Sequence, residues 1–438
     1  MSSLGFQTIY RLINSTTDHV AERCFLPDTE MNDGSLLTYE TQNPVGDFDI
    51  IAVSVAYELE ITQLLTCFER IGIAARAEAR GPTDPLVVLG GPITFSNPRP
   101  FAPFADIVVM GEAEPLLSSL LDAIAKTKDR ETLLDELANW EGVYVPSRHG
   151  DNPVPLVRAK DQDLPAFGQI VTPDAELSNM HLVEAERGCH RSCTFCVMRR
   201  SGKAGMRTVS PKRILLTIPE HAPRVGLVGA AVADHPQLMD IFEKIIGTGR
   251  GLGVSSLRAD RLTPALVQLL KRGGYRTLTI AADGASQRLR DRLKKGITRE
   301  HFVRAAELAV KNSLSTLKLY AMLGLPTETE HDVDELIALC NELSRIIPLA
   351  LAISPFVSKR NTPLDGEPFA GIDLVEARAK QLRKGLQGRA KIRSTSAKWA
   401  WVEYVLAQGG SEMAEVAQIV HENGGNFAAW RKAMSGEA

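Results

Sequence analysis

Between residues 48 and 145 short apolar runs alternate with segments of helical spacing. Phe48-Asp-Ile-Ile-Ala-Val-Ser-Val55 is the first run, Pro85-Leu-Val-Val-Leu-Gly-Gly91 the second, and Ala105-Asp-Ile-Val-Val-Met-Gly111 the third. Ile61 to Ile71 and Glu114 to Ala125 carry apolar residues on a helical period between and after them. Continuous β-branched runs alternating with amphipathic helices predict a parallel sheet with helices on its faces. Ligands of such sheets sit at the C-terminal strand ends, here Ser54-Val-Ala-Tyr57, Gly90-Gly91-Pro92 and Gly111-Glu112. The plainer reading of each glycine is a tight turn from strand to helix.

Residues 147-178 are rich in Pro and Asp, lack periodicity and read as a connection. Six strand-like segments follow: His181-Glu186, Val225-Val232, Leu252-Ala259, Tyr275-Asp283, Leu314-Leu325 and Leu349-Val357. Helical segments separate them, several opening on cap signals at Ser210-Pro211, Thr263-Pro264, Ser286 and Thr298. Six such units predict a partial (β/α)6 TIM barrel, with its chemistry at the C-terminal strand ends. The expected α/β organisation is a Rossmann-like domain over 1-146, a linker over 147-178, the barrel over 179-370 and a helical region over 371-438 packed on the barrel.

Composition adds exclusions. The 438 residues are 44% hydrophobic and 24% charged, a globular balance, with net charge -3. No run of about 18 apolar residues marks a membrane span, and Met1 to His19 lack the basic and apolar regions of a secretory signal. A cytoplasmic location is expected. The one basic concentration is Arg378, Lys380, Arg383, Lys384, Arg389, Lys391, Arg393 and Lys398. It reads as a solvated helix face ahead of a nucleic-acid patch.

Three of the six cysteines, Cys189, Cys193 and Cys196, fall within eight residues, directly after the first barrel strand. Structural zinc takes four ligands, usually from two separated pairs, and here a fourth cysteine is missing nearby, with only His190 adjoining Cys189. Closely spaced thiolates on a loop also hold iron–sulfur clusters, and three thiolates on a 4Fe-4S cube leave one iron open. An open metal position belongs to a substrate or cofactor site.

Cys189-x3-Cys193-x-Phe195-Cys196, at the end of the first strand of a six-unit barrel, resembles the radical S-adenosylmethionine (SAM) superfamily. That resemblance implies a 4Fe-4S cluster held by the three cysteines. SAM would chelate the fourth iron and be cleaved by one electron to methionine and a 5′-deoxyadenosyl radical. By the same resemblance Phe195 packs beside adenine, Gly229 meets the methionine amino group, and Ser255, Ser256 and Arg258 reach ribose or carboxylate. Asp283 stands where relatives carry Glu, and Gly324-Leu-Pro-Thr-Glu-Thr329 turns backbone toward adenine. The bland counterparts are an Arg258–Asp260 surface pair and a simple strand end at Gly324. Arg191, Arg199, Arg200, Lys203 and Arg207 would draw in an acidic electron donor such as a flavodoxin or ferredoxin, or are a solvated loop.

The whole chain is similar to the cobalamin-binding-domain branch, through Gly5-Phe-Gln-Thr-Ile-Tyr-Arg-Leu-Ile-Asn14, Leu89-Gly-Gly-Pro92, Gly111-Glu-Ala-Glu114, Ser255-Ser-Leu-Arg-Ala-Asp260, Leu317 to Thr329 and Gly424 to Trp430. Members hold cobalamin on the N-terminal domain, and many transfer methyl groups. This chain departs by lacking an Asp-x-His-x-x-Gly motif and by beginning at the helix Gly5-Asn14, where relatives have a strand before it. The leading expectation is transfer of a SAM-derived group, most often methyl, to a small molecule or peptide. Alternatives are a cobalamin-free radical enzyme performing rearrangement, cyclisation or aminocarboxypropyl transfer, a non-catalytic SAM- or cluster-binding protein, and a nucleic-acid modifier. Glu184, Lys318, Tyr320 and Ser354 are polar residues of the expected barrel pocket that name no ligand.

Overall fold

Ile50–Ser54 (β1), Leu86–Gly90 (β2) and Ile107–Val109 (β3) are the three expected apolar runs, paired in parallel in chain order. Val143–Tyr144 (β4) adds an antiparallel edge. The flanking helices are α1 (Leu4–Ser15), α2 (Ile61–Ile71), α3 (Leu117–Lys126), α4 (Arg130–Leu137) and the short α5 (Pro146–His149). Ile107, Leu120, Leu133, Leu137 and Val143 close a core between this sheet and α3 and α4. Burying each such side chain contributes about 1.5–3 kcal/mol. The computed structural model describes residues 3–15, 18–27, 34–198 and 205–436. It falls into two units, one spanning Leu164–Trp401 and the other joining Gly5–Asp163 to the chain from Val402 onward.

The barrel unit runs through Met180–Glu184 (β5), Glu186–Arg187 (β6), Arg207–Thr208 (β7), Arg224–Val228 (β8) and Gly251–Val254 (β9). It continues through Thr277–Asp283 (β10), Thr316–Leu323 (β11), Leu349–Pro355 (β12) and Ala390–Ser394 (β13). β5, β8 and β9 pair in parallel, as do β10 to β13, and a parallel bridge between Leu257 and Ile280 links the two sets. Among the described residues no ladder joins β13 to β5, so the barrel is partial. The intervening helices are α6 (Pro211–Leu216), α7 (Leu238–Gly247), α8 (Pro264–Arg272), α9 (Gln287–Arg292), α10 (Arg299–Lys311), α11 (Glu330–Ile346) and α12 (Ile372–Gly385).

The helix starts follow from their caps. Thr263 and Ser286 accept the Leu266 and Leu289 N–H groups at 3.2 Å each, and Thr298 forms a capping box with His301. Leu317, Leu319, Leu323, Leu349, Leu351 and Ile353 are buried in the core shared with these helices. The alternate residues of the same strands therefore face the inside of the barrel.

Two features differ from the expectation. β13 is a seventh parallel strand inside the stretch read as a solvated basic helix. Ala390 and Ile392 pack on the core while Lys391 and Arg393 are exposed, a period of two that the charge count conceals. The C-terminal helices are α13 (Ala397–Gln408), α14 (Met413–Glu422) and α15 (Phe427–Ser435). The expected packing of the tail on the barrel gives way to packing within the N-terminal unit, where α14 lies on α2. Buried Asn97 donates its side-chain N–H groups to the carbonyls of Leu406, Ala407 and Gly409 at 3.2, 3.1 and 2.8 Å. It thereby satisfies the end of α13. Among the described residues no helix is long and apolar enough to cross a membrane.

Candidate functional site

All five residues of β5 are buried, and β6 pairs antiparallel with β7, which brings Arg187 and Arg207 side by side. Gly188 opens this segment with φ 83°, a left-handed turn that favours glycine. Cys189, Cys193 and Cys196 follow, none in a disulfide, with Cys193 buried and the others partly so. Cys189 Sγ accepts the Arg191 backbone N–H at 3.4 Å, and the Thr194 N–H donates to the Leu293 carbonyl at 3.1 Å. Phe195 packs against the barrel core. Burial pushes the Cys189 and Cys196 thiols up, and the charge of neighbouring Cys193 pushes the same way.

Among the described residues no three side chains converge to hold a single metal ion. A 4Fe-4S cube asks for something else, because each thiolate ligates a different iron and the sulfurs need not meet at one point. Three reduced cysteines on one loop are a sulfur-only donor set of that kind, and they fit the cluster.

The loop is braced by a residue that sequence reading passes over. Asp234, in the short turn after β8, has a side chain only 2% exposed. It accepts from Arg191 Nε at 2.9 Å and Nη2 at 2.6 Å, and it meets Arg261 Nε at 2.6 Å and His190 Nε2 at 3.7 Å. Burial alone would raise its pKa, but the Arg191 hydrogen bond and the charges of Arg191, Arg261 and His190 outweigh it and hold it low. One carboxylate thus ties the residues between Cys189 and Cys193 to the loops after β8 and β9. Its signal in the sequence was only a lone Asp at a strand end.

Glu186 is the second such residue. It is buried, its Oε1 accepts the Ala231 N–H at 2.5 Å, and its Oε2 has no hydrogen-bond partner among the described residues. Burial raises its pKa to about 7, against the Ala231 hydrogen bond and with help from Glu184 and Asp234. A Cβ on Gly229 would stand 2.8 Å from Glu186 Cδ and 3.1 Å from Cγ. Gly229 therefore makes room for Glu186, a role within the chain beside the one expected toward SAM.

The other expected cofactor residues divide. Ser255 and Ser256 are exposed at the end of β9. Arg258 pairs with Asp260, Nε to Oδ1 at 3.0 Å, and donates to the Lys295 carbonyl at 2.5 Å, which is its bland reading. Asp283 has φ 60° at a bulge ending β10, forms an ion pair with Lys295, and lies close enough to Cys196 to raise its pKa. Gly324, φ 82°, donates its N–H to Glu328 at 2.9 Å, and Glu328 is paired with Arg378 Nη1 at 2.9 Å. Glu184 is clamped by Arg187 at 2.6 and 2.8 Å. Arg191 faces Asp234 and Arg207 lies in β7, while Arg199, Arg200 and Lys203 fall outside the described residues.

In the N-terminal unit the strand-end glycines are used by the chain itself. A Cβ on Gly91 (φ 106°) would meet the Val55 carbonyl oxygen at 2.6 Å, and one on Gly111 (φ 99°) the Val157 oxygen at 2.5 Å. Buried Glu112 accepts the Ala159 N–H at 2.8 Å. Packing within the chain thus accounts for both glycines, and Ser54, Ala56 and Tyr57 are exposed at the end of β1.

Residues 5–146 match the family model described as radical SAM proteins, N-terminal, and residues 183–340 the one described as radical SAM superfamily. An uncharacterised protein of Methanocaldococcus jannaschii is 29% identical over 344 residues, covering 75% of this chain and 71% of its own. An uncharacterised methyltransferase of Pyrococcus horikoshii is 25% identical over 271 residues, 59% of this chain and 58% of its own. Among solved structures, the cobalamin-dependent S-adenosylmethionine radical enzyme OxsB, with aqua-cobalamin and S-adenosylmethionine bound, aligns with a TM-score of 0.47 at 13% identity, over 77% of this chain and 48% of its own. The chain thus spans less than two thirds of the Pyrococcus relative and about half of the OxsB chain.

Proposed function

The chain belongs to the radical SAM superfamily of enzymes, and on that premise we propose that it transfers a SAM-derived group, methyl, to a small molecule or peptide. The observation that carries the reading is the trio Cys189, Cys193 and Cys196 on one loop at the barrel mouth, a donor set one short of closing a four-iron cube. The methyltransferase name of the Pyrococcus relative supports methyl as the group.

When bound, the cluster supplies the electron that splits SAM. The chain does the rest. The three thiols give up their protons to become ligands, and Asp234 fixes the loop between them through Arg191 and His190. Phe195 anchors the loop to the core. The exposed hydroxyls of Ser255 and Ser256 are free to meet the polar parts of SAM. In this proposal the electron comes from an acidic flavodoxin or ferredoxin. The N-terminal sequence resemblance extends the proposal to cobalamin as methyl carrier.

The test is mass spectrometry of SAM products after anaerobic reconstitution with iron and sulfide, with and without hydroxocobalamin, followed by reduction. 5′-Deoxyadenosine, methionine and S-adenosylhomocysteine together are the expected result. Methylthioadenosine would transfer the reading to the aminocarboxypropyl arm, and protein that took up no iron would end it.

A further inference from the structure

The inner face of the C-terminal half of the barrel carries three cations that the proposed chemistry does not use. Register places Lys318 of β11, Ala350 of β12 and Lys391 of β13 in one row. The next row holds Tyr320, Ala352 and Arg393. Registered residues of a parallel sheet point to the same face. That face is the inner one, because Leu317, Leu319, Leu349, Leu351 and Ile392 lie on the other side against the helical core.

The two rows make a groove. Strands lie about 4.8 Å apart, so the side chains of β11 and β13 stand roughly 10 Å apart across β12. Ala350 and Ala352 give the groove a low floor that solvent reaches, and Ser354 is exposed at its C-terminal end. One wall is Lys318 with its ammonium 4.8 Å from the centre of the Tyr320 ring, itself exposed. The other wall is Lys391 and Arg393, both exposed.

The carboxylates nearest in kind are already committed. Asp283, at the inner end of β10, is paired with Lys295, and Glu184 of β5 is clamped by Arg187. Charged residues commonly protect an edge strand such as β13, but Lys318 is two strands inside that edge, where edge protection explains nothing. Three like charges facing one slot repel one another unless an anion enters. Arg393 adds the planar fork that suits an oxyanion.

We propose that the β11–β13 groove, with Lys318, Lys391 and Arg393 on its walls, binds the anionic end of the substrate, a carboxylate or phosphate, with Tyr320 and the alanine floor taking a flat apolar part beside it. The assignment of this anion as substrate rests on the proposed function, whereas its binding does not.

Calorimetric titration of the reconstituted protein at low ionic strength, with inorganic phosphate, phosphoserine and succinate in separate arms, tests it. At least one probe should bind, weaken steeply as salt is added, and lose at least tenfold in affinity in the Lys391→Ala/Arg393→Ala variant. The arm that binds identifies phosphate or carboxylate. Lys384→Ala, on the exposed side of α12, should bind as wild type, and the double variant should keep the wild-type circular dichroism. Binding in none of the three arms, or equal binding by wild type and the double variant, would overturn the proposal. Anion binding in protein that cannot cleave SAM would retire the enzymatic reading and leave the groove standing.

Discussion

Gly229→Ala separates two roles for one glycine. Contact with SAM would make the substitution harmless to the apo-protein and harmful to cofactor binding. The structure gives it a cost before any cofactor is present. The added methyl would press on the Glu186 carboxylate, 2.8 Å from Cδ, and Glu186 is only 1% exposed with its Oε1 held by the Ala231 N–H at 2.5 Å. Overpacking of this kind costs about 1–3 kcal/mol. Turning the carboxylate away instead strands the buried Ala231 N–H, about 1–3 kcal/mol again. Gly229→Ala should therefore lose about 2–3 kcal/mol in urea unfolding of protein without cluster or SAM. Glu186→Ala removes the atoms that collide, so in that background the same substitution should cost under about 1 kcal/mol, a coupling typical of touching residues. A Gly229→Ala protein as stable as wild type, with SAM binding alone impaired, would refute the packing argument and return the residue to the cofactor.

Glu186 also makes stability depend on pH. Its folded pKa of about 7 exceeds the ordinary 4.5, so the native state keeps a proton that the unfolded chain releases, and stability falls as pH rises. The loss is about 2 kcal/mol between pH 5 and pH 8; Glu186→Gln should flatten that part of the profile in apo-protein, and a variant whose unfolding midpoints track wild type at every pH would contradict it. Asp234→Ala leaves Arg191 and half-exposed Arg261 without their carboxylate. Breaking a buried pair costs about 3–5 kcal/mol, which exposure of the arginines reduces to about 2 kcal/mol, and iron retained after reconstitution should fall with it; full iron content would mean the brace is dispensable. Cys193→Ser and Cys196→Ser should keep the wild-type circular dichroism yet lose the visible absorption of the cluster, and a serine variant with four irons per chain would count against the ligand assignment.

What the sequence disclosed depended on how local each feature is. Apolar runs such as Leu86–Gly90 and Thr316–Leu323 announce strands because their neighbours in sequence set their burial. The caps at Thr263 and Ser286 are equally local. The cysteine trio is legible because its ligands share one loop. Asp234 was not, since Arg191 and Arg261 approach it from loops on either side of it in the chain. β13 was hidden because Lys391 and Arg393 count as charge before they count as alternation. Gly91 and Gly111 look like ligand turns in sequence, and only the approach of Val55 and Val157 shows what occupies the space.

The N-terminal unit is completed by residues from the far end of the chain, with Asn97 holding the carbonyls of Leu406, Ala407 and Gly409 and α14 covering α2. On the ribosome, Gly5–Asp163 emerges before Leu164–Trp401 and waits while that segment is made. At about 5–20 residues per second that wait lasts roughly ten to fifty seconds. Throughout it the face of α2 that α14 will cover is bare, and the barrel has time to fold first. A nascent chain of this design leaves that face open to chaperones and proteases until α14 emerges and covers it.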